Sequence, residues 1–247
     1  MHKGAGVGAG AIFDFDGTLV DSYSPRRIAH RRIAGFLLDN LGVECTTKNR
    51  GIMSQIISKL DAEMNQMKKY NRDLWWNEAA TRYLNKDTEL SQTSLSRAST
   101  LYWETLKEKS TVYPGVKSTL RTLRRKGIKI GVVSDTDGLK GMKAERIQAS
   151  GLSKFFDATV VSGEETTEVK PHSEPFALIS KRLGIRPERC VSVGDNPATD
   201  VEGGLNIGMK VLIVKNKKTG GEKEPKEYYI VDRKRLTNFI IRLLEQN

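Results

Sequence analysis

Cysteine is scarce, with only Cys45 and Cys190 among 247 residues. Their spacing forms no metal motif, and two thiols make no disulfide framework. Cys190 lies in the apolar run Cys190-Val191-Ser192-Val193, so it reads as a buried, inert thiol. A reducing, cytoplasmic setting is the expectation. Long apolar runs are also lacking. None approaches the length that spans a bilayer. The N-terminus, Met1-His2-Lys3 followed by glycine and alanine, lacks the apolar stretch of a signal peptide. No membrane partner is expected. Acidic residues are in deficit, 30 Asp+Glu against 41 Lys+Arg, for a formal net charge of +11. Such an excess steers anions toward the chain. It does not choose among phosphorylated metabolites, nucleotides, nucleic acid and anionic membranes, and a solvated basic surface explains it equally well. The charges are scattered, and no binding motif with interleaved aromatics occurs, which argues against nucleic acid as a partner. Oligomeric state is not legible.

What is present is an ordinary globular balance, 38% hydrophobic and 29% charged, with length enough for one large domain or a domain plus an insert. The run Gly4-Ala5-Gly6-Val7-Gly8-Ala9-Gly10 looks at first like a dinucleotide fingerprint. The register fails at Ala9, and the run precedes a strand where a fingerprint must follow one. It reads as a lead-in to a first strand, Ala11-Ile12-Phe13. From about 23 to 110 the periodicity is helical. Ile28, Ile33, Phe36 and Leu37 suggest one buried face, and Ile52, Ile56, Ile57 and Leu60 a second. Leu74, Trp75, Ala79 and Tyr83 suggest a third, and Leu101, Trp103 and Leu106 a fourth. Trp75, Trp76 and Trp103 are expected in the bundle core. After Tyr113-Pro114-Gly115 the pattern changes. Strands are expected at 128–133, 158–161, 190–193 and 211–214. Helices alternate with them, over 116–127, to Ser150 and over 174–183, and an amphipathic helix closes the chain after Arg233. Alternation of this kind means a parallel, doubly wound α/β sheet. The Lys- and Gly-rich stretch 215–226 reads as an exposed loop.

In such sheets ligands bind beyond the carboxyl ends of the strands. Asp14 and Asp16 follow the first strand there, Ser134 follows Val133, Lys170 comes after the strand ending at Val161, and Asp195 and Asp200 follow Val193. A carboxylate can attack a phosphoryl group covalently, and Asp14, directly ending its strand, would be held rigidly for that. Asp16, two residues on, can protonate the leaving oxygen and then activate water. Gly17 lets the backbone turn tightly. Packed carboxylates call for a cation, and Asp14 and Asp195 suit Mg²⁺. Lys170 and the metal would neutralise phosphate charge, while Ser134 would donate its hydroxyl to a phosphate oxygen. Singly, each group has a plainer reading as a turn acid, helix cap or surface lysine. The ordered set, each member after its own strand, favours the chemistry.

The stretch Asp14-Phe15-Asp16-Gly17-Thr18-Leu19-Val20-Asp21-Ser22 resembles the first motif of the haloacid dehalogenase-like superfamily almost letter for letter. Ser134 after Gly131-Val132-Val133 resembles the second motif, Lys170-Pro171-His172 the third, and Gly194-Asp195-Asn196-Pro197-Ala198-Thr199-Asp200 the fourth. The likeness is to the branch typified by phosphoglycolate phosphatase. It implies a Rossmann-like core over 1–22 and 111–247, with an inserted, mobile, all-helical C1 cap over 23–110. It further implies Mg²⁺ as cofactor and Asp14 as nucleophile. Asp16 would be acid/base and would ligate metal through its carbonyl, Asp195 would be a ligand, and Asp200 would support the metal site or orient Lys170. Gly17, Ser134, Asp135 and Lys170 fall in the implied phosphate pocket. Asp135 is a departure, since many relatives carry Asn there. Dehalogenases of the family lack an acid at the Asp16 position, so dehalogenation is not expected. The implied activity is hydrolysis of a small phosphorylated metabolite. A phosphomutase is the alternative, and a nucleic-acid-binding module is a distant third. Arg26, Arg27, His30 and Arg31, early in the helical segment, either touch an anionic substrate or form a basic, solvated helix face.

Overall fold

The computed structural model describes residues 8–215 and 228–246. Along the chain come strand β1 (Gly10–Phe13) and the short β2 (Val20–Asp21). Four helices follow, α1 (Arg26–Asn40), α2 (Thr47–Gln66), α3 (Arg72–Leu84) and α4 (Gln92–Lys109). The short β3 (Thr111–Val112), helix α5 (Val116–Arg125), strand β4 (Lys129–Asp135), helix α6 (Met142–Ala149) and strand β5 (Ala158–Ser162) come next. Then come α7 (Glu174–Leu183), β6 (Cys190–Gly194), the two four-residue helices α8 (Pro197–Asp200) and α9 (Glu202–Leu205), and β7 (Lys210–Val214). After the segment outside the described residues, where the exposed-loop expectation falls, are β8 (Tyr229–Val231) and α10 (Leu236–Glu245).

The chain divides into two compact units. The first is Met1–Asp21, Thr111–Asp135 and Ile147–Asn247, and the second is Ser22–Ser110 with Thr136–Arg146. In the first, six strands form one sheet in the order β5-β4-β1-β6-β7-β8, every pairing parallel. Parallel strands are buried on both faces and therefore read as continuous apolar runs. Successive side chains of β1 divide between the faces. Ala11 and Phe13 pack with Val116, Leu120 and Leu123 of α5 and with Leu236, Ile240 and Leu243 of α10. Ile12 packs with Phe176, Ile179 and Leu183 of α7. The sheet is thus doubly wound. β1 lies between β4 and β6, so the chain order reverses there, which is where such sheets place ligands. β2 and β3 form a separate antiparallel ribbon, Val20 opposite Val112 and Asp21 opposite Thr111.

The second unit is helical. Helices α2, α3 and α4 begin at Thr46, Asn71 and Ser91, whose side chains accept from the backbone N–H of Asn49, Asp73 and Ser94. Trp75, Trp76 and Trp103 are in its core, and the Trp76 indole N–H donates to Ser99 Oγ at 2.8 Å. Three apolar residues expected inside are out. Ile28, Ile52 and Leu74 are 50%, 43% and 54% exposed. In α1 the buried positions are Ala29, His30, Ile33, Ala34, Leu37 and Leu38. Ile28 sits one residue off that stripe, as Ile52 does from Met53 and Leu74 from Trp75. No described helix is long and apolar enough to cross a membrane.

Candidate active site

The three central strands, β4, β1 and β6, end side by side, and the polar residues after them converge in the first unit. Asp14 leaves β1 with its backbone N–H donating to Val193 O of β6 at 2.8 Å, which extends the sheet pairing by one residue. Lys170 is 4% exposed and bridges two acids, with Nζ at 2.6 Å from Asp14 Oδ1 and 2.7 Å from Asp200 Oδ1. Asp200 ends α8, and its other oxygen accepts the backbone N–H groups of Asp195 at 3.1 Å and Asn196 at 3.0 Å. Asp200 therefore holds both the lysine and the turn after β6. Each of Asp14, Asp195 and Asp200 brings a carboxylate oxygen within 4.8 Å of the others.

The charges decide what this cluster needs. Burial raises the Asp14 carboxyl well above the usual carboxylate range, Lys170 opposes this, and Asp200 and Asp195 add to it. Burial works against the Lys170 charge, but Asp14 and Asp200 outweigh it and hold the ammonium above the ordinary lysine range. Three carboxylates thus crowd round one ammonium, with the Arg233 charge reaching Asp195 from further off, an arrangement that favours a further cation. Asp14 Oδ2 is buried without a hydrogen-bond partner among the described residues. An orphaned carboxylate oxygen beside other hard oxygen donors fits Mg²⁺.

The loop Asp14–Val20 is a tight turn. Gly17 has φ +86°, a conformation suited to glycine. Its N–H donates to Val20 O at 2.7 Å, while Leu19 and Val20 N–H both donate to Phe15 O. Asp16 is half-buried and bridges to Val20. Ser134 is buried in β4, and its carbonyl accepts from Ser162 Oγ at 3.3 Å. Asp135 Oδ1 accepts the Ser162 hydroxyl at 2.6 Å and the Lys170 backbone N–H at 3.0 Å. This departure from the motif thus supports the lysine-bearing segment. Gly194 matters by close approach, because a Cβ there would overlap the Asp200 carboxylate.

His30 and Arg26 do not form a solvated face. His30 is 5% exposed with Nε2 at 3.2 Å from the buried Asp61, and Arg26 Nη1 lies 3.4 Å from the same carboxylate. Arg27 and Arg31 are exposed. The sequence reading overlooked Asp61, Arg72 and Arg233. Asp61 and Arg72 sit on apolar helical stripes, where an isolated charge carries no motif. Arg233 lies far along the chain, and nothing local marks it.

The family model for haloacid dehalogenase-like hydrolases matches residues 9–208, and this chain belongs to that family. Among curated relatives, the N-acylneuraminate-9-phosphatase of Homo sapiens is 36% identical over 117 residues, 47% of this chain and 46% of that protein. The glyceraldehyde 3-phosphate phosphatase of Methanothermobacter thermautotrophicus is 35% identical over 112 residues, 45% of this chain and 48% of that protein. The matches span about half the length of these relatives. Among solved structures, a HAD phosphatase from Thermococcus onnurineus superposes with a TM-score of 0.67 at 22% identity, over 94% of this chain and 97% of that one. At that identity the likeness is one of fold.

Proposed function

We propose that the chain is a Mg²⁺-dependent phosphatase that hydrolyses a small phosphorylated metabolite. The observation that carries the reading is the buried Asp14 carboxylate, bridged by Lys170 to Asp200 and close to Asp195. An oxygen of Asp14 attacks phosphorus, and the bond from phosphorus to the ester oxygen breaks. Asp16 gives the departing oxygen its proton. Asp16 then takes a proton from water, whose oxygen attacks the phosphorus of the aspartyl-phosphate. The bond from phosphorus to Asp14 breaks, and inorganic phosphate leaves. The Lys170 ammonium and the Ser134 hydroxyl hold phosphoryl oxygens. Mg²⁺, held by the carboxylates of Asp14 and Asp195 and the carbonyl of Asp16, supplies positive charge to the phosphoryl group when bound.

An acid at position 16 supports phosphoryl transfer over dehalogenation, and the curated relatives are named phosphatases. Their named substrates differ, so neither is carried over. The helical unit is read as the cap that selects the leaving group. A panel of phosphate monoesters assayed with Mg²⁺ tests the activity, and no phosphate release from any of them would refute it. Asp16→Ala should slow alkyl phosphates, which are poor leaving groups, about tenfold or more beyond its effect on aryl phosphates. Equal losses would remove the acid role.

A further inference from the structure

Arg233 follows β8, in a turn remote in sequence from every motif, yet its guanidinium reaches the catalytic loop. Nη2 donates to the carbonyl of Gly17 at 3.0 Å, and Nη1 donates to the carbonyl of Thr18. The cation also lies over the Tyr113 ring, 3.8 Å from its centroid. Tyr113 is tied to the same loop, because its N–H donates to Leu19 O at 3.1 Å.

The loop needs these donors. Gly17 and Thr18 are buried, and a buried carbonyl without a partner is costly. Phe15 O and Val20 O accept from within the loop, and Leu19 O accepts from Tyr113. The carbonyls of Gly17 and Thr18 are served from the C-terminal segment instead. Two parallel N–H groups in a planar fork set both at once, a geometry lysine does not offer. Both donors serve peptide carbonyls, while the Asp195 and Asp21 charges act on the guanidinium from further off. The clamp closes on the Gly17–Thr18 and Thr18–Leu19 peptide units, which follow Asp16 closely.

We propose that Arg233 is a positioning residue for the catalytic loop, holding the Gly17 and Thr18 carbonyls so that Asp16 keeps its aim. The kinetic part of this rests on the phosphatase reading, whereas the structural part does not. Without the fork the loop retains its turn but loses its outer anchor. Small misplacements of a reacting group cost up to about a hundredfold in rate.

The test compares Arg233→Met, Arg233→Lys and, as a control on the same turn, the exposed Arg235→Met. Methionine keeps an aliphatic body against Tyr113 and removes both donors. In the full chain, amide hydrogen exchange is read at Leu19 and Val20 against Val191 and Val193 of β6. Arg233→Met should speed exchange at the loop amides about tenfold or more while leaving β6 unchanged, and Arg235→Met should change neither. The kinetic arm uses an alkyl and an aryl phosphate with Mg²⁺. Arg233→Met should lower kcat for the alkyl ester about tenfold more than for the aryl ester, with KM little changed. Arg233→Lys should recover part of both losses. Unchanged loop exchange, or equal acceleration in loop and β6, would overturn the proposal. So would equal effects of the two methionine variants, or equal kcat losses on the two esters. A wild-type chain inert toward both esters would count against the phosphatase reading, and the exchange arm would still decide the clamp.

Discussion

Each of the two compact units buries carboxylate among cations, but with opposite balance. In the sheet unit Lys170 bridges Asp14 and Asp200, Asp195 lies close to both, and the Arg233 charge reaches Asp195 from further off. In the helical unit Asp61 meets Arg26 and His30, Asp137 meets Lys143 and Arg146, and both carboxylates act on Arg72. Burial there works against the Asp61 charge, but Arg26 and the other basic neighbours outweigh it and hold the carboxyl well below its usual range. Arg72 is further accommodated by aromatic faces, 3.4 Å from the Trp75 ring centroid and 4.7 Å from that of Trp103. One cluster has cations enough for its carboxylates. The other is left short of positive charge, the condition that suits a metal-assisted site. Buried charge alone does not mark function, and a cluster short of positive charge is the better candidate.

The comparison can be broken most sharply at Asp14. Asp14→Asn should lower phosphate release by about a thousandfold or more. The metal-free chain should lose no stability, since one of three crowded acids is neutralised. Calorimetry showing a marked loss of stability would mean that Asp14 serves the fold as Asp61 does. Asp61→Asn should do the reverse and cost about 3 kcal/mol of stability, because it leaves buried cations without their carboxylate. The wild type's Asp61 contribution is fully present above the ordinary carboxyl range near pH 4 and is lost as pH falls through the depressed folded value. Chemical denaturation from pH 7 to pH 3 should therefore fall more steeply for wild type than for Asp61→Asn, and parallel curves would argue against the pair.

Cations should separate the units next. Mg²⁺ at a hundred times its Kd should stabilise the folded chain by about 2.7 kcal/mol. Asp195→Asn should remove most of that shift, while Asp61→Asn should leave it intact. Removing divalent metal with a chelator should stop turnover, and metal-independent hydrolysis would exclude the proposed role. The smallest effect concerns the thiols. Burial pushes Cys190, in the sheet unit, up to about 11. Cys45, in the helical unit, is half-buried, and its Sγ lies 3.1 Å from Arg50 Nη2. Cys45 should alkylate first at pH 8, as read by mass spectrometry, and equal rates would mean that Cys190 is open to solvent.

The long strands and helices were legible because each carries its own periodicity. The helix at Glu174–Leu183 falls on its expected residues, and the strands differ by one or two. The ribbon of Val20–Asp21 with Thr111–Val112 was not legible, since two-residue strands about ninety positions apart leave no local pattern. Three-residue β8 was missed for the same reason. Ile28, Ile52 and Leu74 were misplaced because an apolar residue next to a helical stripe is indistinguishable by composition from one on it. The acids and lysine were legible through their order after successive strands.

By itself the sequence determined which chemical groups end which strands, because strand burial and motif spacing are local properties of the chain. Tertiary structure decided what those groups do to one another. It placed β1 between β4 and β6, so that Asp14 and Asp195 share an edge, and it closed Lys170 between Asp14 and Asp200. It also made Gly194 a matter of clearance for Asp200 and turned Arg233 onto the loop of Asp16. These depend on approach across long stretches of chain, and pairwise distance is what a one-dimensional pattern does not contain.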